Sequence, residues 1–278
     1  MNTPSPLDGF GLGLRRDHYD EFLACGVAVD FVEVISENYM VDGGNPLRVL
    51  EAVRRDIPVM LHGVSMSLGS ADGLDFDYLA RLKKLADRIE PQWVSDHICW
   101  TRTSAHNSHD LLPLPYTRES LENFVDNVER AQDFLQRELV LENPSSYMLF
   151  PGDEMTEREF IAEIVDRSGA WLLLDLNNVI VSAHNHGFSA NDYVRGLPLE
   201  RVRQVHLAGH TDGEIKIDTH DAPVDEATWR LYSSVAPMLS DVAVMIERDD
   251  RIPSLSELLD ELALARDLAP VIEHRRSA

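Results

Sequence analysis

Short apolar runs recur along the chain, and segments with a helical pattern separate them. Most of the runs are apolar at nearly every position, as strands covered on both faces are, whereas strands with one wet face alternate with polar residues. The pattern therefore predicts eight buried strands. They are GLGLR (11–15), VDFVEVI (29–35), IPVMLHGV (57–64), QWVSDHI (92–98), ELVLEN (138–143), AWLLLDL (170–176), VRQVHLAG (202–209) and VAVMIER (242–248).

The segments between the runs carry amphipathic patterns and helix-start signals. TERE at 156–159 and SLSE at 254–257 fit the capping box, in which a Ser or Thr and a Glu three residues later satisfy each other's backbone amides. Two apolar faces recur at helical spacing. They consist of Leu79, Leu82, Leu85 and Ile89, and of Leu121, Phe124, Val128 and Leu135.

Strands that alternate with helices form parallel sheets through right-handed crossovers. Eight such units in 278 residues predict an α/β fold, a (β/α)8 TIM barrel, formed by residues 1–278 as a single domain. An open doubly wound sheet is the alternative. It usually carries a glycine-rich phosphate loop after its first strand, and the glycines of GFGLGLR at 9–15 precede or lie within the strand.

Composition and charge narrow the set of partners. The formal net charge is −23, and such a surface repels nucleic acid and anionic membranes, so we expect neither as a partner. The first residues lack a signal-peptide pattern, and no apolar run approaches the length of a membrane span. The two cysteines, Cys25 and Cys99, fit reduced thiols, and we expect a cytoplasmic protein.

Polar side chains stand at the ends of six predicted strands, where the active sites of such barrels are built. The loop after the seventh run adds Asp218 and His220, whose side chains would point the same way if that segment is extended. Each residue alone has an ordinary structural explanation. Buried carboxylates need counter-charge, however, and the sequence offers few cations at the strand ends, which favours metal ions. The six strand-end residues are His62, His97, Glu142, Asp175, His206 and Glu247.

Four histidines and four carboxylates exceed the capacity of one octahedral ion. Two or three ions that share bridging carboxylates would use them all. Mixed imidazole and carboxylate donors suit iron, manganese or zinc, and neither cysteine is placed to form a thiolate site. The residues alone leave the choice among these metals open.

The ligand order resembles that of the trinuclear zinc barrels of the endonuclease IV and xylose-isomerase type, except that Asn178 stands where the endonucleases have a histidine. Nearly the whole chain more closely resembles the multinuclear non-haem iron-dependent oxidative enzymes, which include the catalytic subunit of methanobactin oxidase. The motifs that carry this resemblance are GLGLR with HY at 18–19, FVEVISENYM, LHGVSMSLGS, SDHICW, LENPSSY, DLNNVIVSAHNHG, HLAGH and DTHDAPV.

The resemblance implies a set of metal ligands and a role near the substrate for His186. It also makes Glu142 and Asp218 candidates for bridging carboxylates, while His210 and Asp212 are expected to line the loop. Glu33, Glu37 and Asn38 stand at the end of the second strand, where they would contact substrate or lie in a solvated loop. The implied ligands are His62, His97, Glu142, Asp175, Asn178, His206, Asp218, His220 and Glu247.

For function, the resemblance implies oxidative modification of a ribosomally synthesised peptide at cysteine. The expected cofactors are two or three iron ions (Fe2+/Fe3+), with dioxygen as co-substrate. The expected partners are a Cys-containing precursor peptide and a small partner protein that recruits it. The alternatives are a zinc or manganese hydrolase or isomerase that uses the same ligands, and a metal-binding protein without turnover.

Overall fold

Each of the eight apolar runs forms a strand, and the eight strands close into a parallel barrel. We describe it from a computed structural model that covers residues 7–24, 26–103 and 106–269. The predicted TIM barrel is confirmed; that residues 1–278 form one domain stays a prediction. The barrel strands are β1 (Gly9–Gly13), β2 (Phe31–Ile35), β3 (Val59–His62), β4 (Val94–His97), β7 (Leu139–Glu142), β8 (Trp171–Asp175), β9 (Val202–Leu207) and β10 (Ala243–Ile246), and a hairpin of β5 (Trp100–Arg102) and β6 (Asn107–Leu112) follows β4.

The barrel closes between its first and last strands, because β1 pairs with both β2 and β10. Gly11 makes this pairing possible. A Cβ at that position would lie 2.4 Å from the ring of Phe31, so only glycine leaves room for that ring. The barrel interior is packed with side chains and contains no pore at this level. They form a separate apolar cluster of Phe31, Met60, Trp93, Val140, Leu173, Ala243 and Met245.

Helices surround the barrel and bury their apolar faces against the strands, forming the larger part of the core. Both predicted capping boxes are present, at Thr156 with Glu159 and at Ser254 with Glu257. The helices are α1 (Tyr19–Leu23), α2 (Asn45–Val53), α3 (Phe76–Ile89), α4 (Arg118–Leu135), α5 (Glu157–Ser168), α6 (Leu176–His186), α7 (Ala190–Arg195), α8 (Glu226–Val235) and α9 (Leu255–Leu268), with 3-10 turns at Arg16–His18, Ser36–Tyr39, Leu199–Arg201 and Ala236–Met238. Within the described ranges, none of these helices has the length and apolar character needed to cross a bilayer.

Candidate metal centre

The period of the β-strand explains how the polar residues reach one place. In most barrel strands, a residue of the interior apolar cluster is followed two positions later by a polar one, because alternate side chains point to the same side. Met60 is followed by His62, Val140 by Glu142, Leu173 by Asp175 and Met245 by Glu247, and all of these are buried. The polar layer therefore lies above the apolar layer, at the carboxyl ends of the strands.

Two histidines of this layer are held as neutral rings. The Oγ of Ser95 donates to the carbonyl of Leu61, so it accepts from Nδ1 of His62 at 2.9 Å. Nδ1 of His97 donates to the carbonyl of Gly63 at 3.1 Å. Burial lowers the pKa of both rings to about 3. Each ring therefore presents an unprotonated Nε2, which is the form that ligates a metal.

Glu142 lies between these two rings. Its Oε2 is 3.3 Å from Nε2 of His62 and 3.3 Å from Nε2 of His97. Two donors that bind one ion at about 2.1 Å are separated by about 3.0 Å in an octahedral site and about 3.4 Å in a tetrahedral one. The three atoms are thus spaced as ligands of a common ion.

A second group forms around His206 at the centre of the barrel mouth. Its Nδ1 is 2.9 Å from Oε2 of Glu247 and 3.9 Å from Oδ2 of Asp175. Its Nε2 is 3.2 Å from Oε1 of Glu33. The other oxygen of Glu33, Oε2, accepts a hydrogen bond from Nε2 of Gln204 at 2.6 Å. Burial opposes a charge on the ring, but Glu247 and Glu33 outweigh it and raise the pKa of His206 well above its usual value.

His220 completes the arrangement from a loop. Its Nδ1 is 3.1 Å from Oε2 of Glu247, and its Nε2 is 2.6 Å from Oδ1 of Asp218 and 3.8 Å from Oδ2 of Asp175. The backbone of His220 has φ of 45°, in the left-handed region. The segment is therefore not extended, and Asp218 and His220 meet through this turn of the chain rather than through strand alternation.

Three acceptor oxygens of the cluster are buried without a hydrogen-bond partner. They are Oε2 of Glu142, Oδ2 of Asp175 and Oδ1 of Asn178. Nδ2 of Asn178 donates to Oε1 of Glu142 and to the carbonyl of Asn143, which leaves its oxygen free. Such atoms are rare in folded proteins unless an ion or a water satisfies them. This donor set fits metal ions.

Among the described residues, Glu142, Asp175 and Glu247 form ion pairs with histidines and with no lysine or arginine. Burial raises the pKa of Glu142 well above its usual range and that of Asp175 to about 7. Two arginines, Arg15 and Arg248, follow the ends of β1 and β10. Both, however, are bound by other carboxylates: Arg15 by Asp249, and Arg248 by a glutamate of α9 at 3.0 Å. Neither pairs with Glu142, Asp175 or Glu247, so the counter-charges inside the metal-free cluster are His206 and His220.

The structure brings seven of the nine implied ligands into four overlapping buried groups, with Glu33 as an additional member, and the other two contact these groups directly. The groups are His62 with His97 and Glu142, Glu33 with His206 and Glu247, Glu142 with Asp175 and His206, and Asp175 with His220 and Glu247. Asn178 and Asp218 contact these groups through Glu142 and His220. Both therefore belong to the cluster, Asn178 as an amide neighbour and Asp218 as a carboxylate neighbour. Glu142 takes part in two groups, which is the position a bridging carboxylate would occupy.

Glu33 is the residue that sequence reasoning placed wrongly. It lies inside β2 rather than in a solvated loop, since only 2% of it is exposed. It follows Phe31 by two positions, so strand alternation contained the signal. Glu37 is also bound rather than solvated: its Oε1 accepts from the hydroxyl of Tyr78 at 2.7 Å and from the amide of Val64 at 2.9 Å.

A further hydrogen-bonded chain supports Asp218 from outside the cluster. Lys216 Nζ donates to Nε2 of His210 at 2.5 Å, and Nδ1 of His210 donates to Oδ1 of Asn177 at 2.7 Å. Nδ2 of Asn177 then donates to Oδ1 of Asp218 at 2.8 Å. His210 and Asp212 thus line the loop, as expected, and His210 fixes which end of the Asn177 amide faces the carboxylate.

His186 lies apart from the described metal-ligating groups. Its Nε2 is 2.8 Å from Oγ of Ser146, and it lines a separate cavity of about 470 Å³. The mouth of the metal centre is a smaller cavity of about 180 Å³. Cys99, a free thiol, also lines this mouth, and burial raises the pKa of its thiol well above the usual value. Cys25 lies outside the described residues.

Comparison with known proteins identifies the family. A model of the RiPP precursor modification enzymes MbnB/TglH/ChrH, which act on ribosomally synthesised and post-translationally modified peptides, matches residues 9–270. The chain belongs to this family. The MbnB/TglH/ChrH assignment agrees with the resemblance seen in the sequence.

Relatives and solved structures extend this result. The chain is 58% identical over 266 residues to a UPF0276 protein of Caulobacter vibrioides, and the aligned segment covers 95% of each chain. A D-tagatose 3-epimerase-like protein superposes with a TM-score of 0.62 at 15% identity, over 94% of this chain and 98% of that one. D-psicose 3-epimerase from Clostridium cellulolyticum superposes with a TM-score of 0.59 at 11% sequence identity, over 94% of this chain and 91% of that one. At these identities the structures show a shared barrel fold alone.

Proposed function

We propose that this chain catalyses the iron- and dioxygen-dependent oxidation of a cysteine in a ribosomally synthesised precursor peptide. The observation that carries the proposal is the set of three buried acceptor oxygens without hydrogen-bond partners, beside two neutral histidines. Nine residues would hold two or three iron ions. They are His62, His97, Glu142, Asp175, Asn178, His206, Asp218, His220 and Glu247.

The donor set agrees with iron but does not by itself exclude zinc or manganese. Membership of a family of RiPP precursor modification enzymes supports a peptide substrate. When bound, iron would supply a site for a substrate thiolate and the redox chemistry of dioxygen. Cys99 is buried as a protonated thiol, so we assign the reacting thiolate to the substrate.

The chain's own residues prepare the site in three ways. The backbone carbonyl of Gly63 and the hydroxyl of Ser95 fix the tautomers of the two neutral rings. Glu33 holds His206 from below, in the way that carboxylates orient ligating histidines in metal sites. Leu111 and Leu112 of β6 line the mouth and limit its contact with water. A mouth of about 180 Å³ admits a side chain rather than a folded domain.

Recruitment of the peptide by a small partner protein is part of the proposal. The described elements from β1 to α9 all belong to the barrel or to its connections, and none forms a separate peptide-recognition module. The net charge of −23 would speed the encounter with a basic partner or peptide, although salt would screen this attraction.

The test is to incubate iron-loaded protein with a Cys-containing peptide encoded beside this chain, with and without dioxygen and the adjacent partner protein. We expect a mass change only with iron and dioxygen, and faster conversion with the partner. Zinc-loaded protein is the control. Conversion with zinc in the absence of dioxygen would replace the proposal with a hydrolase or isomerase, and full conversion without the partner would remove the partner requirement.

A further inference from the structure

The cavity of about 470 Å³ lies beside the metal centre and is separated from it by one loop. We call residues 144–149 the dividing loop. Pro144 and Ser145 line the mouth of the metal centre, whereas Ser146 and Leu149 line the cavity. The hydroxyl of Tyr147 accepts from the amide of Asp218 at 3.0 Å, which ties the loop to the metal centre. A peptide that crosses this loop would reach both sites.

Two carboxylates of the cavity wall, Glu157 and Asp153, already accept hydrogen bonds from the protein. Glu157 accepts from the hydroxyl of Tyr116 at 2.5 Å and from that of Tyr193. Asp153 accepts at Oδ1 from the amide of Tyr116 at 2.7 Å and at Oδ2 from that of Phe150 at 3.2 Å. A carboxylate that is already satisfied offers little to a sugar, a phosphate or an ammonium group. The wall therefore favours an apolar occupant.

His186 and Ser146 extend this argument. Ser146 Oγ donates to the carbonyl of Met148 at 3.3 Å, so it accepts from Nε2 of His186 at 2.8 Å. Arg158 donates to the carbonyl of Asp192 at 2.9 Å. The side chains of His186, Ser146 and Arg158 therefore already have hydrogen-bond partners within the protein. The His186 ring thus forms part of the wall rather than part of the reacting centre.

The rim of the cavity is apolar and exposed. Leu149 and Phe188, which line the cavity, are 63% and 37% exposed, and Phe188 stacks on Tyr193 with ring centroids 5.3 Å apart. Exposed apolar side chains that cluster around a cavity mark binding surfaces, whereas single ones are ordinary. A volume of about 470 Å³ lies within the range of natural ligand pockets, roughly 300–1,000 Å³.

The distance between the two sites follows from α6. Asn178 of the metal centre and His186 of the cavity are eight residues apart on this helix, or about 12 Å at 1.5 Å per residue. An extended peptide advances about 3.3–3.6 Å per residue, so three or four residues span this distance.

We propose that this cavity binds a large apolar side chain of the peptide substrate, at a position three or four residues from the cysteine that reacts. This inference rests on the proposed function for the identity of the reacting residue. The cavity would then select among precursor peptides by sequence, while the metal centre performs the reaction.

The test uses synthetic peptides with one cysteine and one tryptophan, three or four positions apart on either side, in a glycine–serine background. Matched peptides carry alanine in place of tryptophan. Affinities are measured by calorimetry without dioxygen, with iron-loaded and with metal-depleted protein. We expect at least one tryptophan peptide to bind the wild-type protein on the order of tenfold more tightly than its alanine counterpart, because burial of an aromatic ring drives binding.

A charged variant locates the effect. Leu149→Asp places a carboxylate at the rim, and we expect it to abolish the preference for tryptophan while metal content and thermal unfolding stay unchanged. Leu264→Asp is the matched control, because Leu264 lies on α9, is 42% exposed and lines neither cavity. It should keep the full preference. Equal losses in both variants would show a nonspecific charge effect and overturn the proposal.

The remaining outcomes separate the two proposals. Equal affinities of tryptophan and alanine peptides would overturn the side-chain site even if iron-loaded protein oxidises cysteine. A tryptophan preference in metal-depleted protein would support the site even if no oxidation occurs, and in that case the proposed function alone would fail. If Leu149→Asp instead weakens binding of the recruiting partner and leaves peptide affinity intact, the cavity belongs to the partner and the proposal is wrong.

Discussion

Asp175 allows the charge of the metal centre to be tested separately from the fold. Its Oδ1 caps α6 by accepting from the amide of Asn178 at 2.6 Å, whereas its Oδ2 has no hydrogen-bond partner. Asparagine caps helices as well as aspartate does. Asp175→Asn therefore keeps the cap and removes the charge.

The magnitude follows from the pKa of Asp175. Burial raises this pKa from 3.8 to about 7, which is about 3 units, and each unit corresponds to about 1.36 kcal/mol. A raised pKa means that the ionised carboxylate destabilises the metal-free fold. The destabilisation is absent below about pH 3.8, grows as the pH rises to about 7 and is complete above it. We expect metal-free Asp175→Asn to be about 4 kcal/mol more stable than the wild type near pH 8, as an order of magnitude.

Metal should reverse this ranking. A ligand at 100 times its Kd stabilises the fold by about 2.7 kcal/mol per site. Asp175 takes part in two ligand groups, so the loss of both sites would cost the variant about 5.4 kcal/mol, more than its gain of about 4 kcal/mol. The assay is urea denaturation of both proteins under anaerobic conditions, first with a chelator across the pH range and then with ferrous iron. Asp75→Asn is the control, because Asp75 caps α3 in the same way and lies outside the metal-ligating groups.

Two results would refute the reasoning. If metal-free Asp175→Asn is less stable than the wild type near pH 8, the ionised carboxylate of Asp175 does not destabilise the metal-free fold. If ferrous iron stabilises the variant as much as the wild type, Asp175 is not a ligand. A pH-dependent gain in Asp75→Asn would show that the effect belongs to helix caps in general.

Three further predictions concern neighbouring residues. Glu142→Gln should lose more bound metal than Asn178→Ala, as measured by elemental analysis, because Glu142 takes part in two ligand groups and a neutral amide ligates weakly; equal losses would show that Glu142 is not a bridge. Glu33→Gln should weaken metal affinity by about 10–100-fold in a chelator competition, because a histidine ligand loses its charged acceptor; an unchanged affinity would contradict this role. Asn177→Leu should lower metal occupancy and alter the optical spectrum of the iron-loaded protein, because Asp218 loses a hydrogen bond of 2.8 Å; an unchanged spectrum would reduce Asn177 to a packing residue.

Much of the fold and of the centre could be predicted from the sequence, because both depend on local periodicity. The apolar runs predicted all eight barrel strands. The polar residue at the carboxyl end of a run was predicted to lie at the rim of the barrel, where the active site is built. The same rule applied strictly would have included Glu33, two positions after Phe31. The sequence alone does not assign Glu33 to the metal centre, because a single acidic residue in an apolar strand also fits an exposed strand end.

The rest depends on contacts between distant segments, for which the sequence carries no local signal. His220 reaches the centre through a left-handed backbone conformation in a loop, and the link from His210 to Asn177 joins residues 33 positions apart. The hairpin strand β6 has the polar sequence NSHDLL and is half-buried or exposed throughout, so no alternation revealed it. The cavity beside His186 is built by side chains from several separate parts of the chain.

Because the barrel closes between β1 and β10, the complete metal centre can form only after both strands have been synthesised. His62 leaves the ribosome early, whereas Glu247 directly follows β10, the last strand of the barrel. At about 5–20 residues per second, about 10–40 seconds separate the synthesis of these two residues. During that interval the nascent chain carries scattered histidines and carboxylates but no complete ion cage. The complete set of ligands therefore exists only after Glu247 has been synthesised and β10 has joined β1, so metal can fill the whole centre only after that step.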